Sequence, residues 1–259
     1  MAYTIALAGK GGTGKTTVAS LIVRALHEMG AKSVLAVDAD PNACLHEGLG
    51  VDVERSVGEI TEEMLENANS NPNGMSKDAW LEYNVQRYVV ETRHFDLLSM
   101  GRPEGAGCYC YANNLVRGCV DDLSRGYAYV VLDNEAGLEH LSRRTTRDVD
   151  LLLVVADPAV RGIRTAATLS ALADELKIAV GSRHLIVNRT LEPLDDALVA
   201  AIDTAGVPLL GTIPPDEGIS AIDLAGTGVF DLPDDSAALD AVKRLLEAAI
   251  PVLAEKPAS

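Results

Sequence analysis

Aromatic side chains are scarce in this chain of 259 residues, at 4% of the total, with one Trp and two Phe. The core must therefore be built from Ala, Val, Leu and Ile, since 47% of the residues are hydrophobic. Aliphatic cores of this kind suit a sheet buried by helices on both faces. Basic residues are few as well, 22 against 38 acidic ones, for a formal net charge of −16. Binding to phosphate backbones or anionic lipid needs clustered Lys and Arg, so neither nucleic acid nor a membrane surface is expected as a partner. Long apolar runs are also missing. The longest, Leu151 to Ala156, is too short to cross a bilayer. The apolar opening, Tyr3 to Ala8, is too short for a secretory signal and leads straight into glycines. Four cysteines do not make a disulfide framework, and a reducing, cytoplasmic setting is expected.

What is present is alternation. Short aliphatic runs read as strands at Tyr3–Ala8, Ser33–Asp38, Phe95–Met100, Tyr127–Asp133, Asp150–Ala156, His184–Asn188 and Leu209–Ile213. Helical periodicity lies between them, as at Lys15–Met29, Asn113–Ser124, Arg161–Leu176 and Asp195–Ala205, with a last helix at Ser236–Ala249. The pattern predicts one α/β domain over residues 1–259, a single doubly wound, mostly parallel sheet with helices on both faces. Asn67–Ser76 reads as a loop between helices. Ligands of such sheets bind beyond the carboxyl ends of the strands, where the unusual residue clusters of this chain fall.

The first cluster is Gly9-Lys10-Gly11-Gly12-Thr13-Gly14-Lys15-Thr16-Thr17. It fits G-x-x-x-x-G-K-[ST], with a strand before it and a helix after it. Glycines let the backbone curl so that N–H groups point at phosphate oxygens, and the helix start adds positive potential. Lys15 is placed to reach the β- and γ-phosphates of a nucleotide such as ATP, and the Thr16 hydroxyl to bind Mg²⁺. Lys10 is a second lysine that cradling a phosphate does not require.

Two acidic strand ends follow. Asp38-Ala39-Asp40-Pro41-Asn42 puts two carboxylates on one side of an extended strand end, although Asp-Pro-Asn is also ordinary turn chemistry. Val130-Val131-Leu132-Asp133 is an apolar run ending in a carboxylate suited to Mg²⁺, and Asn134-Glu135-Ala136-Gly137 after it suggests a mobile switch.

Cys108-Tyr109-Cys110 sits in a glycine-rich loop after the third expected strand. Two thiolates one residue apart supply half of a tetrahedral Zn²⁺ or Ni²⁺ site, and a two-fold dimer would supply the other half. Cys119 shares a helical face with Leu115, Val116, Val120 and Leu123, so it reads as core packing, and Cys44 reads the same way. The five histidines form no close metal pair.

The phosphate loop, with its early lysine, resembles the deviant Walker A class, which includes the MinD and ParA ATPases, the nitrogenase iron protein and carbon monoxide dehydrogenase accessory proteins. Taken with Asp-Ala-Asp-Pro-Asn, Gly-x-Gly-Cys-x-Cys and Asp-Asn-Glu-Ala-Gly-Leu-Glu-His, the motifs from Lys10 to His140 are similar to those of the CooC-type accessory proteins, which are nickel-insertion ATPases. The resemblance implies a homodimer in which Lys10 reaches the partner's nucleotide. It implies that Asp40 orients the attacking water, that Asp38 joins the Mg²⁺ shell, and that Asn188 and Pro214 meet adenine. It also implies a client nickel enzyme, carbon monoxide dehydrogenase or the related acetyl-CoA synthase. Two other readings stay open: a positioning ATPase of the MinD or ParA type, and an ATP-dependent iron–sulfur electron donor. The second cluster cysteine of the nitrogenase iron protein has no counterpart here, where Asn134-Glu135-Ala136 stands instead.

Overall fold

The computed structural model of the chain describes residues 2–40, 42–66, 76–101, 118–134, 148–250 and 253. Eight strands form one sheet: β1 (Tyr3–Gly9), β2 (Val34–Asp38), β3 (Val90–Glu91), β4 (Asp96–Ser99), β5 (Tyr129–Asp133), β6 (Asp148–Ala156), β7 (Ala179–Asn188) and β8 (Leu209–Ile213). Their order is β3-β4-β2-β5-β1-β6-β7-β8. Every pairing is parallel except β3 with β4. The expected mostly parallel sheet is therefore present. β3 was not expected, because two residues are too few to show alternation, and β7 begins earlier than the apolar run His184–Asn188.

Alternation along each strand divides the core into two. Ala6, Ala8, Leu35 and Val37 face one side, where they meet α3 (Val57–Glu66), α4 (Lys77–Arg87), a helix over 118–124 (α5), α6 (Val160–Glu175) and α7 (Asp196–Ala205). Ile5, Leu7, Val34 and Ala36 face the other, covered by α1 (Lys15–Glu28), α2 (Leu45–Leu49), α8 (Glu217–Ala225) and α9 (Ala237–Ala249). Helices stand on both faces, as a doubly wound sheet requires. Of the helix expected at Asn113–Ser124, the described part, 118–124, is helical; residues 67–75 lie outside the described residues, between α3 and α4.

Register places the chemistry. Leu7 of β1 and Asp38 of β2 both pair with Asp133 of β5. Two carboxylates thus stand level on neighbouring strands, just below the point where β1 gives way to the glycine loop. All three strands run the same way, so their carboxyl ends open on one edge, where a doubly wound sheet binds its ligands.

Candidate functional site

The loop after β1 needs glycine for space. A Cβ on Gly9 would come within 2.4 Å of the Val155 carbonyl oxygen of β6, and one on Gly14 within 2.5 Å of Asn188 Nδ2. Gly14 also holds φ +84°, in the left-handed region. The loop is tied by its own carbonyl at Lys10, which accepts from Thr13 N at 3.3 Å, Thr13 Oγ1 at 2.9 Å and Lys15 Nζ at 3.4 Å. Lys15 is buried, whereas the Lys10 side chain is exposed. α1 starts with neither a capping side chain nor an acidic residue in its first turn. A helix start of that kind favours an anion.

A cavity of about 370 Å³ opens over this loop, lined by Gly11, Gly12, Gly14, Lys15, Thr16, Asp40, Asn42 and Arg189. The structure thus brings the loop, the Asp40 strand end and the end of β7 together. A larger cavity, about 760 Å³, also touches Thr16 and extends between α2 and α8 past Thr17, Cys44, His46 and Asp223. Cys44 corrects its sequence reading. It is exposed on this cavity wall, because Leu45 takes the buried position at the start of α2. Cys119 does pack against the core, and burial pushes its thiol up to about 11.

The two carboxylates level with the loop are buried and differently used. Asp38 accepts from Asp40 N at 3.2 Å and, through its other oxygen, from Leu45 N at 2.8 Å. It therefore fixes the strand end to the first turn of α2, and burial raises it to about 6 despite those bonds. Asp133 is hydrogen-bonded by Thr16, yet its Oδ1 is buried without a partner. Burial raises it to about 7, and the Asp38 charge adds to the rise. An unpartnered carboxylate oxygen beside a threonine hydroxyl is a donor pair that fits Mg²⁺. That ion takes one or two carboxylates and completes its shell with water and phosphate. Among the described residues no group of three or more His, Cys, Asp or Glu side chains gathers to hold a metal ion.

Asp40 has the turn chemistry its neighbours suggest: its Oδ1 accepts from Asn42 N at 2.8 Å and from Asn42 Nδ2 at 3.0 Å. That turn holds it half-buried on the wall of the phosphate cavity. Asn188, buried at the end of β7, donates Nδ2 to the Thr13 carbonyl at 2.9 Å and accepts from Arg189 N at 3.0 Å. Its amide braces the loop. Pro214 stands half-buried just beyond β8, and Thr190 N donates to the carbonyl of Ile213 beside it at 3.1 Å. Arg189 was missed from the sequence, where one arginine after a strand carries no signal. Cys108, Cys110 and His140 lie outside the described residues. No helix among the described residues is long and apolar enough to cross a membrane.

Comparison with known proteins agrees with this geometry. Residues 4–229 match the family model CbiA, the CobQ/CobB/MinD/ParA nucleotide binding domain. An uncharacterized ATP-binding protein of Methanocaldococcus jannaschii is 40% identical over 245 residues, which cover 94% of this chain and 96% of the relative. The carbon monoxide dehydrogenase accessory protein CooC of Rhodospirillum rubrum is 34% identical over 240 residues, covering 88% and 89%. Among solved structures, the septum site-determining protein MinD of Pyrococcus horikoshii, complexed with Mg-ADP, superimposes with a TM-score of 0.69 at 23% identity, covering 97% of each chain. That likeness is one of fold. On the strength of the family match and of the phosphate loop it spans, the chain belongs to the CobQ/CobB/MinD/ParA nucleotide-binding family of P-loop ATPases.

Proposed function

We propose that this ATPase is a metallochaperone. It dimerises around nucleotide and a metal held by Cys108 and Cys110, and it serves nickel insertion into carbon monoxide dehydrogenase or the related acetyl-CoA synthase. The observation that carries the reading is the 34% identity, across 88% of the chain, to a protein named as a carbon monoxide dehydrogenase accessory protein. The Cys-Tyr-Cys loop supplies the thiolates such cargo needs.

In this reading the Gly9–Thr17 loop and Lys15 hold the triphosphate, and Asn188 and Pro214 flank the adenine. Thr16 and Asp133, with Asp38 behind them, would hold Mg²⁺, which when bound neutralises charge on the β- and γ-phosphates. Asp40 orients a water whose oxygen attacks the γ-phosphorus. The bond from that phosphorus to the β–γ bridging oxygen breaks, ADP leaves with the electron pair, and the water proton ends on phosphate. Lys10, exposed and not needed by its own loop, reaches the partner subunit's nucleotide. ATP-driven change at Asp40 and Asp133 alters the spacing of the two Cys-Tyr-Cys loops and so couples hydrolysis to metal transfer.

The test is metal analysis and native mass of anaerobically purified protein beside the Cys108→Ala/Cys110→Ala variant. One Zn²⁺ or Ni²⁺ per two parent chains, lost in the double variant, supports the reading. A variant that keeps the metal overturns it. Iron with labile sulfide, in brown protein, moves the reading to an electron donor. Lys10→Ala, sedimented with a non-hydrolysable ATP analogue, should bind the analogue but remain monomeric.

A further inference from the structure

The histidines are scattered in sequence, but folding brings two of them together. His27 stands in the last turn of α1 and His94 in the turn between β3 and β4, yet His27 Nε2 and His94 Nδ1 are 2.9 Å apart across 67 residues of chain. Both rest on fixed supports. Thr92 Oγ1 accepts from the N–H groups of His94 and Phe95 at 3.1 and 3.0 Å, which closes the turn that carries His94. The His94 ring stacks on Phe230 at 4.8 Å, and Phe230 stacks in turn on Phe95 at 5.3 Å. Both histidines are half-buried, with one side open to solvent.

A hydrogen bond alone does not account for how the rings meet. Two imidazoles bonded head-on at this N···N distance would hold their centroids about 5 Å apart. These centroids are 4.4 Å apart, with the ring planes at 76°, so the nitrogens meet at an angle. An ion with nitrogens at about 2.0–2.1 Å and at right angles holds them about 2.9 Å apart, whereas tetrahedral ligation spreads them to about 3.3 Å. The observed spacing matches the first, the arrangement of neighbouring ligands on tetragonal Ni²⁺ or Cu²⁺. The His94 ring is also in the state that ligates. Burial, with His27 and Arg93 adding to it, holds His94 below the ordinary imidazole value, so it is neutral at pH 7. Arg93, which can only donate, occupies His94 Nε2 at 2.7 Å and so puts the ring proton on Nδ1, between the two rings. An entering ion must shift that proton to Nε2 and turn the exposed Arg93 away.

We infer that His27 and His94 form a binding site for a divalent cation that takes nitrogen and oxygen donors in tetragonal geometry, Ni²⁺ or Cu²⁺. Among the described residues no third His, Cys, Asp or Glu completes the set, so water fills the other positions and the ion stays exchangeable. The site lies at the far end of α1, whose 14 residues put it about 20 Å from the phosphate loop. It shares no residue with the nucleotide site or with Cys108 and Cys110, and it stands or falls apart from the reading of that pair.

Equilibrium dialysis of protein without an affinity tag, against Ni²⁺, Cu²⁺ and Zn²⁺ separately, tests it. In the Cys108→Ala/Cys110→Ala background the expected result is one Ni²⁺ per chain, with Zn²⁺ bound more weakly and a Cu²⁺ electron paramagnetic resonance spectrum split by two nitrogens. His27→Gln and His94→Gln should each weaken Ni²⁺ binding at least about tenfold, since losing even a partner behind a ligand costs that much. Arg93→Ala should bind Ni²⁺ several-fold more tightly, because it removes both a competing donor and a nearby cation. All three substitutions should leave Mg-ATP binding as in the parent, which separates loss of the site from loss of the fold. A double-cysteine variant that binds no Ni²⁺ would overturn the inference. So would Ni²⁺ binding undiminished by either glutamine, Zn²⁺ held as tightly as Ni²⁺, or an Arg93→Ala variant no tighter than its parent.

Discussion

Asn188 donates from Nδ2 to the carbonyl of Thr13 at 2.9 Å, joining the end of β7 to the phosphate loop across 175 residues of chain. The amide fills the space a side chain at Gly14 would need, 2.5 Å from the missing Cβ. Gly14→Ala must displace the amide and also hold alanine at φ +84°. Asn188→Ala instead strands the Thr13 carbonyl, at a cost of about 1–3 kcal/mol for a buried group left unsatisfied. Each single variant should lose stability and bind ATP several-fold more weakly. The double variant should lose less than the sum, because removing the amide makes room for the alanine. Strict additivity in a denaturant double-mutant cycle would show that the two positions do not share this space.

Much of this arrangement could be read from residues in order, and the remainder could not for identifiable reasons. Gly9–Thr17 announces itself because its glycines, lysine and threonine are needed at fixed spacing between a strand and a helix. Strands β1, β2, β5 and β6 are buried on both faces and so show as unbroken aliphatic runs. The bracing by Asn188 could not be foreseen, since pairing a strand-end amide with a loop carbonyl depends on which strands are neighbours. Arg189 was hidden for a similar reason: only its backbone angle aims it at the loop. Cys44 was misread as packing because a short helix gives too little periodicity to choose between it and Leu45.

Lys15 and Asp40 line the same cavity but should fail differently when removed. Lys15 is buried, so in the proposed reading its charge meets the phosphates where water competes little. Lys15→Ala should therefore bind ATP at least about a hundredfold more weakly and show no turnover. Asp40→Ala keeps the loop and the Asp133–Thr16 pair, so it should bind ATP nearly normally. Its turnover should fall by about two orders of magnitude or more, the range for loss of a group that positions a reacting water. Steady-state kinetics beside binding titrations checks both, and normal turnover of the Asp40 variant would leave that residue a turn former only.

Far from the nucleotide, Arg24 of α1 is 3% exposed and holds the turn that leads from α8 to α9. Its Nη1 donates to the carbonyls of Val229 and Leu232 at 2.7 Å each, while Nε pairs with Glu28 at 2.6 Å. Arg24→Ala strands two carbonyls and leaves Glu28 with Lys243, at 2.6 Å, as its remaining partner. Breaking a buried arginine network of this kind should cost about 3 kcal/mol or more in denaturant unfolding, with ATP affinity little changed in the folded fraction. A loss under about 1 kcal/mol would mean that the turn holds through apolar contacts alone.

Asp133 contributes to the pH response of the nucleotide-free protein. Burial lifts its carboxyl to about 7 in the fold, against an ordinary value of 3.8. Between those values the folded chain holds a proton that the unfolded chain has released. Stability linked to this group is therefore fully present below about pH 4 and declines as pH rises towards 7 and beyond, because the native state binds more protons there. Asp38, raised to about 6, acts in the same direction. Asp133→Asn removes the larger contribution: without nucleotide or Mg²⁺ it should melt higher than the parent at pH 8 and lose less on going from pH 5 to pH 8. The same substitution removes the unpartnered carboxylate oxygen beside Thr16, so Mg-ATP should stabilise the parent strongly at pH 8 and the variant weakly. Thermal melts at the two pH values, each with and without Mg-ATP, read both effects. A variant with the parent's pH slope would show that Asp133 is ionised in the metal-free fold, and one still strongly stabilised by Mg-ATP would show that its carboxylate does not serve the cation.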